Sequence, residues 1–101
     1  MMTAYMIITA RIHDRDAFIA GYGRQAAELV ARHGGRYVFR GRDAQLLEGD
    51  FGDGAAILVS RWPDMQTLRR FWDSPDYAEI KRLRDGMADV QVIAVEGVWQ
   101  E

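Results

Sequence analysis

The side chains that could do chemistry in this chain are Arg40, Glu48, Arg61, Arg84 and Glu96, together with Tyr37, Trp62, Trp72 and Tyr77. Arginine grips a carboxylate through paired N–H donors, and aromatic rings hold the apolar body beside it. The candidate ligand site is therefore Tyr37, Arg40, Glu48, Arg61, Trp72, Tyr77 and Arg84, with a small carboxylate as ligand. A tyrosine or Glu48 is the group available to move a proton, and no residue is assigned a catalytic role. A charge near a core must pair or bind something. The alternative is an Arg–Glu network that closes the ends of the fold in a non-enzymatic structural or interaction module. The two readings differ in whether the space between helices and sheet is open or is filled by Phe71, Trp72, Tyr77 and Met87.

Other chemistries find little footing. The chain has no cysteine, which removes thiolate metal sites, iron–sulfur clusters and cysteine nucleophiles together. Its imidazoles are His13 and His33, at opposite ends of an expected helix roughly 28 Å long at 1.5 Å rise per residue, so they share no metal within one chain. No metal and no cofactor are expected. Gly21-Tyr22-Gly23 falls inside a helix rather than after a strand and is no phosphate loop. Ser60 and Ser74 lack the His and Asp partners of a nucleophilic serine. A net charge of −2 argues against nucleic acid as a partner, since such proteins display a basic face. The longest unbroken apolar run, Ala55 to Val59, is far below the ~20 residues of a membrane span. The expectation is a cytoplasmic protein with no membrane partner.

The elements that must position these residues follow from periodicity. At 101 residues one domain is expected, spanning 1–101. Ala4 to Ile12 reads as a strand, stopped at His13-Asp14, where Asp14 is a candidate N-cap. Phe18, Tyr22, Ala26, Leu29 and His33 recur at helical spacing over Arg15 to His33, and Gly34-Gly35 is the left-handed stop. Arg36 to Phe51 reads as a strand broken at Gly41, where a bulge or bend is expected, and resumed over Gln45 to Glu48. The turn Gly52-Asp53-Gly54 leads into a third strand, Ala55 to Trp62, and closes a hairpin. Asp64 caps a helix carrying Leu68, Phe71 and Trp72. Ser74-Pro75 breaks it and restarts a helix with Tyr77, Ile80, Leu83 or Arg84, and Met87 on its inner side. Val90 to Glu96 is the last strand.

Strand, helix, strand, strand, helix, strand is the βαββαβ order of a ferredoxin-like α+β sandwich, a four-stranded antiparallel sheet with the helices on one face. Its first and third strands are central, and those are the most apolar runs here. A sheet covered on one side should alternate apolar and polar residues. Instead Tyr5 and Ile7 oppose Met6 and Ile8, Ile57 and Val59 oppose Ala56 and Leu58, and Ile93 and Val95 oppose Val90 and Val92. The uncovered face spans on the order of 300 Å² in projection, and a second copy packed through it as a homodimer is the economical cover.

Residues along the whole chain carry a resemblance. Tyr5 in the first strand, His33-Gly34-Gly35-Arg36-Tyr37-Val38-Phe39-Arg40-Gly41, Leu46-Leu47-Glu48-Gly49-Asp50, Phe71-Trp72-Asp73-Ser74-Pro75-Asp76-Tyr77, Arg84 and Val95-Glu96-Gly97 together resemble the DUF1330 family of the dimeric α+β barrel superfamily. The resemblance implies the dimeric barrel fold and brings no assigned activity. Related barrels of this kind house cofactor-free oxygenases, isomerases and haem proteins between helices and sheet. The chain departs from the family pattern at Arg61-Trp62-Pro63, where a carboxylate or apolar residue usually precedes Phe-Pro, and this sets apart any site at that strand end.

Overall fold

A computed structural model describes residues 2–98. Strand β1 (Thr3–Ile12) is followed by α1 (Arg15–Phe18), a π-helical turn (Ile19–Gly23) and α2 (Arg24–Arg32), then β2 (Arg36–Gly41) and β3 (Ala56–Trp62). Helices α3 (Met65–Trp72) and α4 (Pro75–Lys81), a 3-10 turn (Arg82–Arg84) and β4 (Ala88–Gly97) complete the order. The sheet runs β2-β3-β1-β4, antiparallel throughout, with β1 and β3 at its centre as the apolar runs predict.

Short polar side chains start the helices where the sequence places them. Asp14 accepts a hydrogen bond from the Ala17 amide at 3.1 Å, Asp64 from Thr67 at 2.7 Å and Ser74 from Tyr77 at 3.1 Å, each satisfying one of the donors a helix N-terminus leaves free. The first helix carries the π turn that periodicity did not foresee. A turn closed from i to i+5 holds more residues than the 3.6 of an α-turn. Positions four apart, Phe18, Tyr22 and Ala26, therefore fall closer to one line, and the Phe18 and Tyr22 rings lie 5.1 Å apart. Gln25 Nε2 donates to the Gly21 carbonyl at 3.2 Å. The glycines after α2 serve different needs. Gly34 takes φ +94°, a left-handed conformation, while a Cβ on Gly35 would stand 2.6 Å from the Trp62 ring.

Three expectations are corrected. The strand expected to resume over Gln45 to Glu48 does not form. Asp43, Gly49, Gly52 and Gly54 all have positive φ, and the chain curls back on itself with Leu46 N donating to Asp53 Oδ1 and Gly54 N to Ala44 O. The strand breaks off at Gly41 as expected, but its bulge lies earlier, at Val38, because the register steps from Tyr37 opposite Ser60 to Phe39 opposite Val59. The last helix ends at Lys81 and tightens into the 3-10 turn instead of continuing to Met87. That turn settles an open alternative: Leu83 faces solvent, and Arg84 turns inward.

The core lies between helices and sheet toward the row formed by Ala4 and Trp62. Leu29, Trp62, Leu68 and Phe71 are each no more than 2% exposed. Phe71 stacks 4.9 Å from Trp62 and 4.6 Å from Tyr77. The buried Trp62 indole N–H donates to Ser60 Oγ at 2.9 Å. On β1, Ala4, Met6 and Ala10 are buried beneath the helices, and Tyr5, Ile7 and Thr9 on the opposite face are only partly covered. Ile93, Val95 and Phe39 are about half exposed. Among the described residues no helix is long and apolar enough to cross a membrane.

Candidate functional site

Away from the Trp62 end the same helix–sheet layer is hollow. A cavity of about 110 Å³ lies over the sheet positions Ile8, Ala10, Ala56, Leu58, Val90 and Val92 and under Phe18, Tyr22, Gly23 and Ala26 of the first helix. Register explains the floor. Ala10 lies opposite Ala56 on one side and Val90 on the other, so one row across three strands carries only small side chains. Tyr37 from β2, Tyr77 from α4 and Arg84 from the 3-10 turn complete the lining. Apart from these three and Tyr22, every lining residue is an aliphatic side chain, phenylalanine or glycine.

The polar groups sit together. Tyr22 and Tyr77 share a hydrogen bond of 2.7 Å between their hydroxyls. Burial first, and then the neighbouring Tyr77, raises the Tyr22 phenol well above the usual tyrosine range, against a downward pull from Arg84. Burial also raises Tyr37, opposed by Arg40. Both phenols are therefore neutral donors at physiological pH. Two hydroxyls joined by one hydrogen bond use one of their two O–H groups, so one donor is left over. The Arg84 guanidinium lies 5.5 Å over the Tyr22 ring, and its buried Nε–H has no hydrogen-bond partner among the described residues. The arrangement presents two N–H or O–H donors, one of them cationic, to an otherwise apolar space.

Of the residues singled out from sequence, Tyr37, Tyr77 and Arg84 meet at this cavity. Arg40 stands at its margin, 5.2 Å over the Tyr37 ring. It reaches that face because the bulge at Val38 lets residues three apart share a side of the sheet. Glu48 is exposed in the irregular loop. Arg61 lies opposite Tyr5 and Arg36 on the uncovered face of the sheet. Trp72 packs beside Tyr77 at 5.2 Å and beneath the Lys81 ammonium at 4.5 Å, outside the lining. The Arg–Glu network is not formed within the chain: among the described residues no ion pair joins Arg40, Arg61 or Arg84 to Glu48 or Glu96, and the pairs that form, His13 with Asp89 and Arg69 with Asp73, are exposed. No group of three or more metal-ligating side chains occurs among the described residues. Sequence reasoning placed Tyr22 on an apolar helix face and missed its role. The available signal was its hydroxyl, because a buried tyrosine tip needs a partner.

Strand order and helix placement together define a ferredoxin-like α+β fold. The chain belongs to the family described as Domain of unknown function (DUF1330), matched over residues 3–98. Among solved structures it is similar to a protein of unknown function from Rhodopseudomonas palustris, with 20% identity, 98% of this chain and 85% of that one covered, and a TM-score of 0.77. It is also similar to SnoaB, a cofactor-independent oxygenase from Streptomyces nogalater, with 16% identity, coverage of 99% and 97%, and a TM-score of 0.71. A nipsnap family protein of unknown function from Agrobacterium tumefaciens shows 11% identity, coverage of 94% and 87%, and a TM-score of 0.61. At these identities the likeness is one of fold. No curated protein matches the chain in sequence.

Proposed function

We propose that the helix–sheet cavity binds a small organic acid, with Arg84 and the Tyr22–Tyr77 hydroxyl pair holding its carboxylate and the aliphatic floor holding its body. The observation that carries this reading is the pair of donors without acceptors, Arg84 Nε–H and the surplus phenol O–H. Buried donors are paired in nearly all folded proteins, and an exception calls for an explanation. A carboxylate supplies both missing acceptors and the missing negative charge. The donor set is ill suited to a cation, since burial holds the Tyr22 phenol protonated and the one charge is positive. A site working through its own side chains is in keeping with SnoaB, whose fold this chain shares and which is a cofactor-independent oxygenase. Any chemistry here begins with neutral phenols polarising a carbonyl or stabilising an oxyanion. Calorimetric titration with monocarboxylic acids at neutral pH tests the reading. Binding is expected for wild type and lost in Arg84→Met, and equal affinity in the two refutes it.

A homodimer through the uncovered face completes this reading. Its support is the run of apolar side chains from Phe39 across Ile57, Val59, Ile7 and Ile93 to Val95, on the face opposite the helices. Folded chains rarely leave a contiguous apolar surface of several hundred Å² to water, and a two-fold copy is self-complementary. Native mass spectrometry at micromolar concentration is expected to give a dimer that Ile93→Asp dissociates, and a monomeric wild type rejects it.

A further inference from the structure

Gly23 stands where the π turn passes into α2, and nothing local requires a glycine there. Its φ of −58° and ψ of −42° are ordinary right-handed values. A Cβ at this position would lie 3.8 Å from the Phe18 carbonyl oxygen and 3.9 Å from Ile19 side-chain atoms, which are unstrained contacts. Glycine inside a helix is less stable than alanine because it has more backbone freedom to lose. The backbone geometry tolerates alanine and helix stability favours it, yet glycine is present, and it lines the cavity. The opposite wall repeats the pattern with Ala10 and Ala56 side by side. Where the sheet passes beneath Leu29, Leu68 and Phe71, large side chains fill the equivalent space.

We infer that Gly23 is a specificity-determining position whose bare backbone receives the apolar body of the ligand, and that the ligand is a short-chain monocarboxylate. The inference rests on the binding reading above and adds size and charge to it. A cavity of about 150 Å³ takes a benzene ring, so the 110 Å³ here corresponds to about four or five carbon atoms. The charge follows from the lining: Arg84 is its one ionic group, and a second carboxylate would be buried against aliphatic side chains without a counter-charge.

The test compares acetate, isovalerate, glutarate and 1-naphthoate by calorimetry on wild type, Gly23→Ala and Gly21→Ala. Gly21 is the control, because it makes the same exchange in the same turn with no atom within 4 Å of the added Cβ and no place in the cavity lining. Wild type is expected to bind isovalerate more tightly than the other three acids. Gly23→Ala should weaken isovalerate about tenfold or more, the effect of one methyl group in a filled pocket, and leave acetate nearly unchanged. Gly21→Ala should bind as wild type. Both variants should melt at or above the wild-type temperature. Should Gly23→Ala fail to fold, Ala56→Val narrows the cavity from the sheet side with the same expected selectivity. Undiminished isovalerate binding in Gly23→Ala overturns the inference while leaving the binding reading intact. Preferential binding of glutarate or naphthoate by wild type overturns it also, and wild type that binds no acid overturns both.

Discussion

Replacing Arg84 by methionine separates a ligand-binding arginine from a structural one through the sign and size of the stability change in the free protein. Methionine keeps the length and apolar stem and removes the guanidinium. If a hidden partner neutralised Arg84, its loss would strand that partner and cost about 3–5 kcal/mol, as breaking buried ion pairs does. Among the described residues there is no such partner: Nε is buried and unpaired, and the guanidinium lies 5.5 Å over the Tyr22 ring. Removing an unsatisfied buried donor relieves about 1–3 kcal/mol, and losing a cation–π contact takes back about 0.5–2 kcal/mol. The terms nearly cancel, so the net change is expected within about 2 kcal/mol of zero. For a domain of this size 1 kcal/mol moves Tm by roughly 4–8 °C. The variant should therefore melt within about 15 °C of wild type and stay folded at 25 °C. Thermal unfolding followed by circular dichroism at fixed protein concentration reads this directly. In the same assay an acid at a hundredfold excess over its Kd should raise wild-type stability by about 2.7 kcal/mol and leave Arg84→Met unmoved. A destabilisation beyond about 3 kcal/mol, with no ligand response in wild type, would refute the reasoning and return Arg84 to a structural role.

The two glycines after α2 should fail for different reasons. Gly34→Val forces a β-branched residue to φ +94° and Gly35→Val drives a side chain into Trp62, so each should lower stability by more than about 1 kcal/mol in denaturant titration. In the double variant Gly35→Val/Trp62→Leu the second penalty should shrink while that of Gly34→Val persists. Ser74→Ala removes the cap that holds the Tyr77 amide and should cost about 1 kcal/mol of equilibrium stability. Stability should also decline in alkali. Tyr22 and Tyr37 are raised in the fold, so above the ordinary tyrosine pKa of about 10 the unfolded chain gives up protons that the folded chain keeps. Each phenol then removes about 1.4 kcal/mol per pH unit until its own folded pKa is passed. Tyr22→Phe should flatten that decline, and an unaltered slope would contradict the burial of its hydroxyl.

The order of elements was legible because local chemistry and tertiary packing agree. Asp14, Asp64 and Ser74-Pro75 mark helix starts in any context, and the apolar runs of β1 and β3 mark central strands whichever helix covers them. The expected strand over Gln45 to Glu48 failed where these levels part. Gln45, Leu46 and Leu47 pattern as a strand, but positive φ at Asp43, Gly49, Gly52 and Gly54 turns the backbone away from the sheet, and Leu47 is left 93% exposed. Hydrophobicity alone carries no information about that path. The bulge at Val38 was misplaced for a related reason. Gly41 permits a distortion, yet the distortion falls where register with β3 requires it.

The site was only half legible, because a cavity is a property of what is missing. Arginine and tyrosine announce themselves by type, and Tyr37, Tyr77 and Arg84 meet as their chemistry suggests. Arg61 and Glu48 have the same chemistry and lie elsewhere, since the parity of a strand position and the course of a loop decide which side chains share a space. The residues that create the room, Ala10, Ala56, Gly23 and Ala26, are small and chemically silent, and read singly each is an ordinary core or helix residue. Register alone turns them into a site. Ala10 faces Ala56 across the central strand pair, and a one-residue slip between β1 and β3 would put large side chains in that row and bring small ones to the open face. The hollow therefore belongs to the same register that buries Trp62 opposite Ala4 at the solid end. A chain that keeps so lean a core and still leaves one end unfilled gives up packing energy that Gly23→Ala and Ala56→Val would partly recover, and the ligand binding proposed for that end is a use that would offset the loss.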